Sequence, residues 1–417
     1  MICYHELAGK WQDVKHMTAG AEKRWIFFDW ELSHQTQLGI AARNLMKLSL
    51  IKTDYFFVSL CIESRQVLPF NLLELALLTE PLRKGVQTRE QISAQTELYI
   101  KMYCPVLRRL DNTIIPNSAN LFNKQLTGSP SIGFAEIDQL GQNRRPFDSL
   151  ANDFAEVITG SAWAESMIRT QGVYNTKLVH TGVDLALYHP ATRANLFPDR
   201  FVIYVDGPLE ARGGIDIAVT AVSDFAKHRP DILLVIAPRF AGTASVIALS
   251  RISSSAPIAI KFDGQPELSG WLKQMGLNAR QFILSPPISE LWRAQVLREA
   301  DVVLVTDRAH PGLNQTAMAA MACGVPVILA DNTGNRDLAD PDICYVLDHQ
   351  KDLGDPNRPG WGISDLDQIV QTLEKIYSDR AAALQVGARA AQKMLDYSWV
   401  HQIEKLAAVI APLEAAV

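Results

Sequence analysis

The sequence predicts an α/β protein with parallel sheets in two domains, and three observations carry that prediction. Apolar runs of strand length alternate with stretches of helical periodicity, the pattern of a parallel sheet covered by helices on both faces. The clearest instance lies between Asp301 and Leu338. There an apolar run from Val302 to Thr306 leads through the turn Pro311-Gly312 into a small-residue helix, which Gly324 can end before a second apolar run from Val325 to Ala330. A length of 417 residues accommodates two domains of ordinary size, each with its own core.

Composition narrows the function classes. With 48% hydrophobic and 20% charged residues the chain reads as globular rather than extended and disordered. A net charge of −5 argues against a general nucleic-acid binder, which carries a basic excess. Five scattered cysteines (Cys3, Cys61, Cys104, Cys323, Cys344) show no CxxC spacing, so neither a disulfide framework nor a zinc site is expected, and His34, His180, His189 and His349 form no metal spacing either. No signal-peptide run and no stretch of about 18 apolar residues is found, which predicts a cytoplasmic location.

Taken in order, residues 1–24 read as a polar leader and Trp25 to Trp30 as the first strand. Gln37, Leu38 and Gly39 are expected in a loop, with a helix over 40–50. Apolar runs at Tyr55 to Ile62, Thr113 to Ile115 and Ser131 to Phe134 continue the alternation. Val157 to Thr159 reads as a short strand, and Ser161 as the N-cap of a helix over 162–169. The linker is expected near Pro190 to Pro198. Strands are then expected at Phe201 to Val205, Asp231 to Ala237 and Phe282 to Leu284, with amphipathic helices in the tail.

At the turn after Thr306, a ligand is expected on general grounds. The carboxyl end of a parallel strand is where open sheets bind ligands, and the helix amino terminus offers N–H groups to an anion such as phosphate. The string AMAAMACGVPVILADNTGNRDL (317–338) resembles the signature of retaining family 4 glycosyltransferases, in which a Glu-Ala-Met-Ala-Cys-Gly-Val-Pro-Val-Ile pattern precedes an Asn-Thr-Gly turn. The segments KLVHTGVDLALYHP and DGPLEARGGID resemble the same family's domain-closing and domain-opening segments. The resemblance implies a GT-B fold, with two Rossmann-like domains facing each other across a cleft. It assigns 1–193 to an acceptor-side domain, 194–395 to a nucleotide-sugar-binding domain, and 396–417 to a final helix crossing back to the first.

It also implies site residues. Gly39 would face the donor phosphates, and Gly207, Arg212, Arg308, Gly312, Asn314, Gln315 and Thr316 would surround the donor. Backbone near Pro287 would contact the base, and Glu136 would line the acceptor side. His310 and Arg212 are the expected catalytic groups. The family's two usual basic residues are replaced by Pro208 and Gly213, and its second glutamate by Ala319; its first falls at His310 or Pro311. Two lost phosphate cations, at about 1.5–3 kcal/mol each, correspond to a rate loss on the order of 10²–10⁴.

The implied activity is retaining and metal-independent transfer of a sugar from a nucleotide-sugar donor to a glycan, lipid or small-molecule acceptor, with no cofactor beyond the donor. The alternative is a catalytically degenerate GT-B protein acting as a partner subunit, beside a partner glycosyltransferase, or as a glycan-recognition module. Peripheral attachment to a membrane is a further option for a lipid acceptor.

Overall fold

The computed structural model describes residues 24–33, 36–61, 72–112, 124–140, 147–240, 242–253, 255–286 and 288–415. The expected leader at 1–24 (apart from Arg24), the strand expected at 113–115, Cys3, His34 and Pro287 lie outside the described residues. The chain forms two compact units, residues 1–182 with 398–417, and residues 183–397. Residues 183–193 and the linker expected near Pro190 therefore group with the second unit.

In the first unit the elements run β1 (Arg24–Phe28), α1 (Gln37–Lys52), β2 (Tyr55–Ser59), α2 (Leu72–Ala94), β3 (Tyr99–Lys101), β4 (Val106–Leu110), β5 (Gln125–Thr127), β6 (Ser131–Ala135), α3 (Asp148–Asp153), β7 (Glu156–Thr159), α4 (Ala162–Arg169) and β8 (Thr176–Leu178). Six strands form a parallel sheet in the order β2-β1-β4-β6-β7-β8, and β3 pairs with β5 outside it. Strand period sends Ile26 and Phe28 to one face and Phe27 to the other, into separate cores. Trp399, Ile403, Leu406 and Ile410 of the last helix complete the first of these cores. The expected cap is in place: Ser161 Oγ accepts from the Ala164 N–H at 3.1 Å.

Strand β4 was not expected, because Arg108 and Arg109 interrupt its apolar pattern. Arg108 is nonetheless buried, its Nε donating to Asp29 Oδ2 at 2.9 Å, while the Arg109 backbone N–H donates to Asp29 Oδ1 at 2.7 Å.

In the second unit the order is β9 (Phe201–Pro208), α5 (Ile215–Ala226), β10 (Ile232–Arg239), α6 (Thr243–Ile252), α7 (Leu268–Gln274), β11 (Phe282–Leu284), α8 (Glu290–Glu299), β12 (Val302–Val305), α9 (Gln315–Ala322), β13 (Val327–Ala330), β14 (Tyr345–Leu347), β15 (Gln350–Asp352), β16 (Gly362–Ser364), α10 (Leu366–Ser378) and α11 (Arg380–Lys393). The closing helix of the first unit is α12 (Trp399–Ala415). Strands β11-β10-β9-β12-β13-β14 form a second six-stranded parallel sheet. Every residue of β9 is buried, as a strand covered on both faces must be. Phe201, Ile203 and Val205 join one core with α5, and Val202 and Tyr204 join the other with α9. Gly324, at φ +76°, ends α9 in the left-handed conformation expected just past a helix.

Candidate functional site

The candidate site of the second unit gathers at the carboxyl ends of β9 and β12, around the start of α9. Asn314 caps that helix: its Oδ1 accepts from the Thr316 and Ala317 N–H groups, both at 2.9 Å. Its Nδ2 donates to Asp307 Oδ2 at 2.6 Å, which fixes the carboxamide orientation. Asn314 was expected to offer its amide to a ligand, but both ends of it are engaged within the protein. Thr316 Oγ1 donates to Asp206 Oδ2 at 3.3 Å and accepts from Arg293 Nη2 at 2.6 Å. Gln315 turns along its own helix, with Nε2 3.7 Å from Met318 Sδ.

The cations around the site are matched by carboxylates. Arg293 Nη2 lies 2.8 Å from Asp206 Oδ2, and Arg239 pairs with the other oxygen of Asp206. Arg212 Nε donates to Glu210 Oε1 at 2.6 Å, with 32% of its side chain exposed. Arg308 was expected to be a phosphate ligand. Instead it is buried, its two Nη atoms donating to the two carboxylate oxygens of Asp216 at 2.9 and 2.6 Å. Its Nη1 also donates to the Ala211 carbonyl at 3.0 Å, and its backbone N–H donates to the Arg212 carbonyl at 2.7 Å. A bidentate pair at this depth ties the loop after β12 to the first turn of α5 and leaves Arg308 no freedom to reach a ligand.

His310 also departs from expectation. Its Nδ1 lies 2.8 Å from the Gly312 carbonyl. A carbonyl only accepts, so Nδ1 carries the proton and Nε2 is left as an acceptor. Burial, helped by the charge of Arg212, holds the imidazole down to about 3. It is therefore neutral near pH 7 and is not a cation for a phosphate. Burial raises the Asp307 carboxyl to about 7, against the opposing pull of Arg212 and of the Asn314 hydrogen bond.

The Asn-Thr-Gly turn packs on this loop. The His310 N–H donates to Thr333 Oγ1 at 2.8 Å, and the Gly334 N–H donates to the His310 carbonyl at 2.9 Å. A Cβ on Gly334 would lie 2.3 Å from the Gly312 carbonyl oxygen, so only glycine permits this approach. Gly207 lies in β9 against α5, where a Cβ would meet Ile215 Cγ1 at 3.3 Å.

Two of the expected residues, Gly39 and Glu136, belong to the first unit. Gly39 is not in a loop. It sits in the first turn of α1, its N–H donating to Thr36 Oγ1 at 3.1 Å, and a Cβ there would meet the Ser33 backbone nitrogen at 2.5 Å. Glu136 follows β6 and pairs with Arg109 at 3.3 Å. Asp206, Asp307, Arg239 and Arg293 were not singled out from the sequence. The two aspartates stand at or just past the carboxyl ends of buried strands, a signal that could have found them; Arg293 carries no local signal.

Comparison with known structures decides the architecture. A sucrose-phosphate synthase from Thermosynechococcus elongatus superposes with a TM-score of 0.64 over 95% of this chain and 100% of that one, at 16% identity. The Anabaena protein HepE, solved in complex with UDP-glucose, superposes with a TM-score of 0.59 over 93% and 99%, at 15% identity. The fold is GT-B. At this identity the likeness of the GT-B chains is one of fold. In sequence, spore coat protein SA of Bacillus subtilis is 25% identical over 242 residues, which are 53% of this chain and 57% of that protein. The chain thus matches little more than half the length of that curated relative. No family model matches. Among the described residues no group of three or more His, Cys, Asp or Glu is placed to hold a metal ion, and no helix is long and apolar enough to cross a membrane.

Proposed function

We propose that this GT-B protein is a glycosyltransferase that moves a sugar from a nucleotide-sugar donor to a glycan, lipid or small-molecule acceptor, with retention and without a metal. The observation that carries the reading is the GT-B architecture over nearly the whole chain, shared with HepE, a protein solved with UDP and with UDP-glucose. The donor would lie at the start of α9. Arg212 and Arg239, with 32% and 45% of their side chains exposed, are the cations able to turn toward a diphosphate. Neutral His310 would accept a hydrogen bond from a sugar hydroxyl through Nε2, a role open to an acceptor and closed to a cation. Glu136 would serve the acceptor side.

One observation favours a second reading, that of a non-catalytic partner subunit or glycan-recognition module. Arg212, Arg239, Arg293 and Arg308 each have a carboxylate partner, so an arriving diphosphate must compete with Glu210, Asp206 or Asp216. A charge-assisted hydrogen bond contributes about 1.5–3 kcal/mol, and each such bond diverted costs roughly tenfold or more in affinity.

Calorimetric titration with UDP, GDP, ADP and their sugar conjugates separates the two. Saturable binding that weakens in Arg212→Ala, together with donor hydrolysis, supports the transferase. Silence from every nucleotide at millimolar concentration removes that reading and leaves the partner subunit.

A further inference from the structure

The first unit holds an open groove of about 390 Å³ at the amino ends of β1 and β4, at the opposite strand ends from Glu136. Its floor is Trp25, whose indole stacks on Phe56 with ring centroids 4.7 Å apart. Lys84 places its ammonium 5.5 Å from the centroid of the Trp25 ring. At the rim Tyr103 is 88% exposed, with the Lys101 ammonium 5.7 Å from its ring. Gln91 of α2 and Gln95, just past the end of that helix, line the wall. Among the described residues no acidic side chain lines the groove.

Among the described residues neither Lys84 nor Lys101 lies within ion-pair distance of a carboxylate. Glu414, the carboxylate that acts on the neighbouring Cys104 thiol, is already held by Arg24 at 3.0 Å and by the Tyr55 hydroxyl at 2.8 Å. An ammonium resting over an aromatic face is held more weakly than one in a charge-assisted hydrogen bond. Both lysines are therefore available to an incoming anion, beside the exposed ring of Tyr103. A ring with one apolar face, several hydroxyls and a negative group uses all of these features together: apolar face on aromatic ring, hydroxyls on the glutamine amides, anion on the lysines.

We infer that this groove is a binding site for an anionic saccharide, a sugar bearing a carboxylate or phosphate group. The site is built from first-unit residues alone and requires no turnover, so it stands or falls independently of the proposed transferase activity.

The test is calorimetric titration of the full chain with trigalacturonate, glucose 6-phosphate, maltotriose and inorganic phosphate. One or both of the charged sugars should bind saturably, with maltotriose and inorganic phosphate at least tenfold weaker, and the stronger of the two identifies the anion. Lys84→Ala and Tyr103→Ala should each weaken that binding by about tenfold, as the loss of one charge-assisted bond or one stacked ring does. Melting temperatures of both variants should match that of the parent, because the substituted groups lie at the open groove. The inference is overturned if neither charged sugar binds, if inorganic phosphate binds as tightly as they do, or if binding is indifferent to both substitutions.

Discussion

His310→Asn offers a sharp test of the buried electrostatics beside α9. The asparagine Nδ2 can take the place of Nδ1 and keep the donor to the Gly312 carbonyl, while removing the titrating ring. Burial depresses the folded-state value of His310 to about 3, well below the ordinary 6.5. Such a group contributes stability that is present above the unfolded value and is lost as pH falls toward the folded one. Each pH unit inside that window is about 1.36 kcal/mol, so His310 withdraws on the order of 3 kcal/mol between about pH 8 and pH 4.5.

Asp307 acts in the opposite sense. Its carboxyl is raised from 3.8 to about 7, so its contribution is complete below the unfolded value and is lost as pH rises through about 7. The two slopes offset one another in the native protein. The measurement is urea unfolding of parent and variant at a series of pH values. Filling the ring space imperfectly lowers the variant by an amount independent of pH, so the quantity to read is the change in the difference. The variant should gain on the order of 3 kcal/mol on the parent between about pH 8 and pH 4.5. A difference constant to within about half a kcal/mol would refute the buried neutral imidazole.

Three further outcomes follow from the same region. Arg308→Met strands Asp216 in the interior and should cost about 3–5 kcal/mol in denaturant unfolding, with Asp216→Asn in the same chain recovering a large part of it. Gly214→Ala should cost more than about 2 kcal/mol, because Gly214 sits at φ +60° and a Cβ would lie 1.9 Å from the Thr306 carbonyl oxygen; an unchanged melting temperature would contradict this packing. Asp206→Asn releases Arg239 and Arg293 from their carboxylate, and UDP affinity measured by calorimetry should rise about tenfold if those cations face the donor.

The strands were legible where apolar residues were continuous. The run at Phe201 to Val205 and the run at Val325 to Ala330 became β9 and β13, because a strand covered on both faces must be apolar throughout. Strand β4 was hidden by Arg108, whose burial is explained by Asp29 and the Leu126 carbonyl, partners distant in sequence. The candidate site was legible as a place and less so as chemistry. Asn314 and Thr316 do stand at the helix start, yet their partners are Asp307 of the loop after β12, Asp206 of β9 and Arg293 of α8, and no local pattern announces those contacts. Arg308 looked available because sequence shows a charge without showing its counterion.

The division of the first unit into two stretches of chain has a consequence for biosynthesis. Trp399, Ile403, Leu406 and Ile410 fill the same core as Ile26, Phe28 and Phe57, and a Cβ on Gly182 would strike the Trp399 backbone. As the polypeptide leaves the ribosome, residues 183–397 emerge before that core can close. At about 5–20 residues per second, roughly 200 intervening residues take on the order of 10–40 s. Throughout that interval the core between the first sheet and α1 lacks the side chains of α12, while the second unit gathers every residue of its own core by the end of it. The unit begun first is thus the one finished last, and a chaperone holding the growing chain would find its binding surface on the α1 side of that first sheet.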